Sequence, residues 1–439
     1  MSEDQIEWLR LPPDLQYKLM EVAEEEAQRV KENHKKLLAT LEELKKLALP
    51  HVKPLPGGQG EPLVAAVDGS RSPMLSRRLG ASYGAFTASG LAIRGKSEVW
   101  ENHLAGQFKR NGALSQDRSM YSFELTSLLA ERKMALEALD HADHVIVDGS
   151  FYGYAYTANK RIQMGELSEN DVKILEEINE LTEKIIKSGR AFAVIKRTRS
   201  RVLEGYAYLN GLEEDLTGIT DKLSLSYAMP GRSYIPYSEL TGGRHPMELT
   251  ILAQRKEMEE REGGREVSFS PDWKDIEERV YGPPRYIGVP AEALSSLERI
   301  QVKAYEDAPA CEVEFLKGKE EEVVSILSAS AFFNHDTGLP MVLDMVDQLT
   351  TLGVRFAEEY ADEVEARALQ LVIEESGPSA LRWFFRPLNP QKPYRTSMLH
   401  AGIYRGPIVT AICIKDYRVL LRKRRFWVIT LRINCVLYL

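Results

Sequence analysis

Apolar residues recur along the chain with two spacings, and the change from one to the other marks out its elements. From 14 to 49 the sequence is rich in Glu, Lys, Leu and Ala, with Leu37, Leu38, Leu41 and Leu44 at helical spacing, which predicts a long helix or a bent helical pair. The run Pro54-Leu-Pro-Gly-Gly-Gln-Gly60 ends it as a linker. A short apolar run follows, Val64-Ala-Ala-Val-Asp68-Gly-Ser70, and residues 81–88 and 91–94 predict two successive antiparallel strands. Leu125, Leu128, Leu129, Ala135, Leu136 and Leu139 predict a helix from about 117 to 141 with one apolar face. A second short run, Val145-Ile-Val-Asp148-Gly-Ser150, comes at once after it, and then a helix from about 168 to 188 and a buried strand, Phe192-Ala-Val-Ile195. These pieces predict a mixed sheet with helices.

Beyond Gly211 the periodicity is weaker. Short strands are predicted near 223–228 and at 287–290, and the charge-dense stretch from 255 to 278 reads as a mobile insertion or an exposed helix. Gly338-Leu-Pro340 opens an apolar helix that contains Asp344 and Asp347. The last two dozen residues are unlike the rest: Arg422-Lys-Arg-Arg425 precedes an apolar run that is interrupted by Arg432 and too short to span a bilayer. No repeat of solenoid period is present.

At 439 residues the chain is long enough for two or three average domains and needs no disulfide or metal staple to fold. Its formal charge of -8 exerts no global pull on nucleic acid, although a local basic groove can still track phosphates. Cys311, Cys413 and Cys435 have no CxxC spacing, so neither a disulfide framework nor a zinc cluster is expected. The amino terminus lacks the basic and apolar regions of a secretory signal, and no run of about twenty apolar residues occurs; a cytoplasmic protein is expected.

One literal motif match is Gly90-Leu-Ala-Ile-Arg-Gly95-Lys96-Ser97, the phosphate-loop pattern of nucleotide-binding ATPases. A chain of this length matches it by chance on the order of once in a hundred cases. A working loop must be a nest of amides between a buried strand and a helix. Residues 91–93 instead alternate as a strand does, so the ATPase reading stands as an alternative only.

The duplicated Asp-Gly-Ser strand ends carry more chemistry. Two aspartates at neighbouring strand tips make an acidic floor suited to hard cations such as Mg²⁺ or Mn²⁺, two of which clamp the attacking and leaving oxygens of a phosphodiester. A third carboxylate should come from the intervening helix. The strand from His144 to Asp148 climbs about 15 Å, and the same height back along a helix takes about ten residues, which lands on Glu131; Glu124 overshoots by roughly two turns. Against this stands an exposed Glu131 balanced by Arg132 and Lys133. Lys196 begins the basic run Lys196-Arg-Thr-Arg-Ser-Arg201 directly after the next core strand, placed to meet phosphates although a bare charge run is usually a solvated loop. Asp347 is a candidate fourth carboxylate with Asp344 as its rival, and His335 with Asp336 reads as a surface turn rather than a proton-handling pair.

In these residues the chain resembles the NurA nucleases, which work beside the HerA translocase in DNA end processing. The resemblance covers most of 63 to 357. It rests on Ala-Val-Asp68-Gly-Ser, on the Glu131 helix leading to Val-Ile-Val-Asp148-Gly-Ser, on Ile195-Lys196, and on Gly338-Leu-Pro340 followed by Asp347. It implies an α/β, RNase H-like (Piwi-like) mixed sheet flanked by helices. It also implies a toroidal homodimer, manganese-dependent cleavage of single-stranded DNA, 5′ to 3′ exonuclease activity and a HerA-type hexameric partner. By match Asp68, Glu131 and Asp148 are metal carboxylates for Mn²⁺ or Mg²⁺, two ions being expected, and Lys196 is a phosphate-facing cation. Asp347 stands where the family is expected to place a histidine or an acid.

The expected organisation is a helical arm and linker over 1–60, a nuclease domain over 61–395 with a charged insertion around 252–283, and a tail over 396–439. The tail after about Tyr404 has no counterpart in the resemblance. A catalytically silent scaffold for a DNA translocase is the remaining alternative.

Overall fold

The computed structural model describes residues 11–58, 60–111, 116–212, 218–261, 271–329, 332–372 and 379–389. The expected tail, with Cys413, Cys435 and the Arg422 run, lies outside the described residues, as do 262–270 of the charged insertion. No helix among the described residues is long and apolar enough to cross a membrane.

Helix α1 (Pro13–Ala48) begins with proline at its first position, where the missing N–H costs nothing, and carries Lys45 and Lys46 in its last turn. Its first two-thirds are exposed; only Thr40, Leu41, Leu44 and Ala48 are buried. Then come β1 (Lys53–Pro54), β2 (Leu63–Arg71), β3 (Ser76–Arg77), β4 (Ala81–Arg94), β5 (Ser97–Asn111), α2 (Gln116–Ala138) and β6 (His144–Asp148). Helices α3 (Tyr154–Gln163) and α4 (Glu169–Lys187) lead to β7 (Ala191–Ile195). Helix α4 starts in a capping box between Ser168 and Asp171 and buries Leu175, Ile178, Leu181 and Ile185 on one stripe. The chain continues through α5 (Val202–Leu209), α6 (Asp221–Ala228), β8 (Ser233–Pro236), α7 (Tyr237–Thr241), α8 (Pro246–Arg261), α9 (Trp273–Tyr286) and α10 (Ala291–Ser295). Last are β9 (Leu297–Lys303), β10 (Cys311–Leu316), α11 (Glu320–Leu327), α12 (Met341–Thr350), α13 (Phe356–Val372) and α14 (Ser379–Phe385).

Two units divide these elements. The first is Met1–Asp68, Ser89–Asn102 and Glu131–Leu349, and the second is Gly69–Ala88, His103–Ala130 and Thr350–Leu439. In the first unit the strand order is β1-β8-β9-β10-β7-β6-β2-β4, with β5 beside β4. Strands β2, β6 and β7 are parallel, and β10, β9, β8 and β1 continue antiparallel. Even positions of the parallel strands, Val64, Ala66, Ile146, Phe192 and Val194, share one core cluster with Ile300, Val313 and Phe315, closed over by α11 and by Val342, Leu343 and Val346 of α12. Each such fully buried valine, isoleucine, leucine or phenylalanine side chain contributes about 1.5–3 kcal/mol. A second cluster joins Leu44 and Ala48 of α1 to Leu203, Leu225 and Leu249. In the second unit buried Arg78 pairs with Asp362 at 2.7 Å, beside a small cluster of Ala81, Tyr83, Ala361 and Phe385.

Several sequence expectations need correction. Residues 81–94 form a single fourteen-residue strand rather than two, because Ser89 and Gly90 continue it. Residues 223–228 lie in helix α6: Leu223 and Leu225 alternate over too short a window to distinguish strand from helix, and it is Leu225 and Ala228 that are buried. Residues 287–290 form a turn after α9. The described part of the charged stretch is helical, in α8 and α9, with Ile276 buried and ion pairs such as Arg255–Asp275 at 2.7 Å on its surface.

The phosphate-loop match is also settled. Gly95 and Lys96 form the two-residue turn of the β4–β5 hairpin, so no helix follows and no amide nest exists. Gly90 serves packing instead: a Cβ there would lie 2.6 Å from the Trp100 ring and 3.1 Å from Met134 Sδ. Gly90→Ala is therefore expected to lower stability by about 1–3 kcal/mol through overpacking. Lys96→Ala, on the exposed turn, should leave stability within about 0.5 kcal/mol of wild type. Urea melts of the two variants check both.

Candidate metal centre

The parallel pairing of β2 and β6 puts Val64 opposite His144 and Val67 opposite Val147, so Asp68 and Asp148 stand side by side at the strand tips. Strand β7 pairs Val194 with Asp148, which leaves Lys196 two residues further along the same edge. Asp68, Asp148 and Lys196 all continue the even-numbered series that faces the core beneath α12, and α12 contributes Asp347 from above. One carboxylate oxygen from each of Asp68, Asp148 and Asp347 lies within 4.8 Å of the others. Lys196 Nζ is 3.3 Å from Asp148 and 3.2 Å from Asp347. The whole group belongs to the first unit.

Electrostatics at this edge are strained by design of the strand ends. Asp68 is buried, and burial together with the charges of Asp148 and Glu131 pushes its pKa up to about 8, although Lys196 pulls the other way. At Lys196 burial acts to lower the pKa, but Asp148, Asp68 and Asp347 outweigh it and the ammonium is held above its usual value. Three oxygens and no sulfur or imidazole form a hard donor set, which suits Mg²⁺ or Mn²⁺ better than zinc. Part of the penalty for collecting these carboxylates is offset by Lys196; a divalent cation would offset the rest.

Glu131 is not one of the three carboxylates that come within 4.8 Å of one another, but its charge acts on Asp68. Its neighbours include Asp148 and Lys196, and burial pushes its pKa up to about 7 against the pull of Arg132. Arg132, itself buried, holds the carboxylate at 2.7 Å. The rival Glu124 is exposed and pairs with Arg71 at 3.3 Å. Of the two acids on α12, Asp344 accepts from Asn334 at 2.8 Å and from Thr337, organising the turn before its own helix, whereas Asp347 meets Lys196. His335 and Asp336 lie on an exposed turn, with the His335 ring 4.6 Å from that of Tyr305.

The basic run after Lys196 is divided by side. Arg197 and Arg199 are exposed, while Thr198, Ser200 and Arg201 are buried. Arg201 is spent inside the protein on Glu204 at 2.5 Å and Glu257 at 2.5 Å, so it is not available to a ligand.

Sequence reading missed a second polar group on the opposite face of the sheet. Glu312 and Glu314 of β10 are fully buried, and Arg299 of β9 bridges them at 2.7 and 2.6 Å. Glu314 accepts from Phe151 N–H at 2.7 Å and Ser150 Oγ at 3.0 Å; Glu312 accepts from Thr198 Oγ1 at 2.6 Å and Gln301 Nε2 at 3.1 Å. The only signal in the sequence is the alternation of Glu312 and Glu314 on one strand with Arg299 and Gln301 on another.

A mixed sheet with parallel central strands, flanked by helices and with acids at neighbouring strand tips, is an RNase H-like fold. The fold is shared with the NurA nuclease from Sulfolobus solfataricus: 14% identity, TM-score 0.51, over 84% of this chain and 100% of that one. Two further NurA structures, one of them with manganese, match at 11% and 13% identity. Both have a TM-score of 0.44, and the matches cover 81% and 80% of this chain and 99% of each of those. No protein-family model matches the chain, and none of the curated proteins does.

Proposed function

We propose that this protein is a metal-dependent nuclease of the NurA kind that hydrolyses DNA phosphodiesters. The observation that carries the reading is the convergence of Asp68, Asp148 and Lys196, at the ends of three adjacent strands, with Asp347 from helix α12. Asp68, Asp148 and Asp347 would hold Mn²⁺ or Mg²⁺, two ions being the expected number. The chemistry supplied by such a cation when bound is positive charge at the phosphodiester and acidified water. Lys196 steadies a phosphate oxygen and keeps its proton while doing so, because its carboxylate neighbours hold its pKa up. Glu131, with a pKa pushed up to about 7, is poised to hold a proton near neutrality and to release it when positive charge arrives nearby. Arg197 and Arg199 extend the positive edge outward along a phosphate backbone.

The finer reading rests on the sequence resemblance: single-stranded DNA or DNA ends as substrate, 5′ to 3′ exonuclease polarity, a homodimer, and a HerA-type translocase as partner in end resection and repair in the cytoplasm. A single-stranded oligonucleotide labelled at either end, incubated with Mn²⁺, Mg²⁺, Zn²⁺ or EDTA, tests both levels. Cleavage with Mn²⁺ or Mg²⁺ and none with EDTA is expected, and the label released first reports polarity. Intact oligonucleotide under every metal would overturn the nuclease reading. Sedimentation alone and with a HerA-type hexamer tests the assembly.

A further inference from the structure

We infer that the buried cluster of Arg299, Glu312 and Glu314 is a positioning device that fixes two active-edge loops from beneath the sheet, the one after Asp148 and the one that begins at Lys196. The inference rests on the nuclease reading for its kinetic consequences, but its mechanical part stands on geometry alone. Gly149 takes a φ of +79°, a conformation that turns the chain at the tip of β6, and Ser150 and Phe151 then both hydrogen-bond Glu314. Thr198, two residues after Lys196, reaches Glu312 at 2.6 Å. One guanidinium ties the two carboxylates together with a pair of charge-assisted contacts, so the loops that present Asp148 and Lys196 share a single rigid mount.

Both glutamates are fully buried and each accepts from loop and strand together, which a glutamine could not reproduce. An amide offers one acceptor oxygen, and its NH₂ would face donors that already need acceptors. Glu314→Gln should therefore free the loop at 149–151, and Glu312→Gln the loop at 197–199, each without moving the other. Loosening the loop behind a metal carboxylate, as Glu314→Gln would behind Asp148, lowers metal affinity by about 10–100-fold; Glu312 supports the Lys196 side, which holds no metal ligand.

The test is hydrogen exchange on the full-length protein, followed by Mn²⁺ binding and steady-state cleavage of a single-stranded oligonucleotide. Glu314→Gln is expected to speed exchange at 149–153 only and to weaken Mn²⁺ binding at least about tenfold. Glu312→Gln is expected to speed exchange at 197–201 only and to raise KM while Mn²⁺ affinity stays at the wild-type value. Should either glutamine variant fail to fold, Ser150→Ala and Thr198→Val remove the hydroxyl contact of each loop while both glutamates and the Phe151 N–H bond stay in place. Unchanged exchange at both loops, or uniform loosening of the whole sheet, overturns the inference. If the loops respond as expected but wild-type protein neither binds Mn²⁺ nor cuts DNA, the mount stands and the nuclease reading falls.

Discussion

Asp68→Asn is expected to abolish DNA cleavage and, in the same protein without metal, to raise the melting temperature at pH 8. The first effect follows from removing the most buried of the three converging carboxylates. Loss of one preorganised charged group at a reacting centre lowers turnover by on the order of 10³-fold. The second follows from the pKa of Asp68, pushed up to about 8 from the usual 3.8 by burial and by Asp148 and Glu131. Above pH 3.8 the unfolded chain gives up this proton while the folded chain keeps it, so the contribution of Asp68 to stability falls as pH rises from about 4 to about 8. Each unit of the shift is worth about 1.4 kcal/mol. Asparagine carries no such penalty, so the gap between variant and wild type should be small at pH 4.5 and widen toward pH 8. Glu131, pushed up to about 7, adds a slope of the same sign that both proteins share. Mn²⁺ should raise the melting temperature of wild type most at pH 8 and do little for the variant. Differential scanning calorimetry in EDTA and in Mn²⁺, across that pH range, reads all of this. A variant that still cuts DNA, or that melts below wild type in EDTA at pH 8, would remove Asp68 from the site.

What the sequence revealed of the site follows from how local each signal was. The two Asp-Gly-Ser runs are short, apolar and identical in ending, so their placement as neighbouring strand tips was readable, and the register of Val67 with Val147 carries it into space. Rise along helix and strand, counted back from a helix end expected near 141, was enough to prefer Glu131 over Glu124, although the helix itself ends at Ala138. It could not show that Asp68 and Asp148 face α12, which brings Asp347 into the tight group and leaves Glu131 with Arg132. That outcome depends on which face of the sheet each helix covers, a tertiary fact.

The least legible part was β9 and β10. Residues 297–303 alternate apolar with Arg299, Gln301 and Lys303, and 311–316 alternate with Glu312 and Glu314, the pattern of strands with one wet face. In the folded protein that face is dry, and its charges satisfy one another and the loops around them. Opposite charges on strands not yet known to be paired give no sign of burial. The same limitation made Arg197 to Arg201 read as one basic patch, although Arg201 is enclosed by Glu204 and Glu257.

Arg299→Met should be among the most destabilising single substitutions in the first unit, at about 3–5 kcal/mol. Two fully buried carboxylates would lose the cation that bridges them at 2.7 and 2.6 Å, and Gln301 with the Ser150, Phe151 and Thr198 donors cannot neutralise two charges. The remedy is specific. Adding Glu312→Gln and Glu314→Gln to Arg299→Met removes both orphaned charges and should restore most of the lost stability, because replacing a buried ion cluster as a whole costs little even when breaking it costs much. Cleavage should not return with it, since each glutamine offers its loop one acceptor oxygen in place of two and no guanidinium ties the two side chains together. Urea unfolding together with oligonucleotide cleavage separates the two properties: a stable triple variant that cuts like wild type would show that the loops need no mount. A single Arg299→Met variant as stable as wild type would show that the guanidinium is not what holds the buried carboxylates in place.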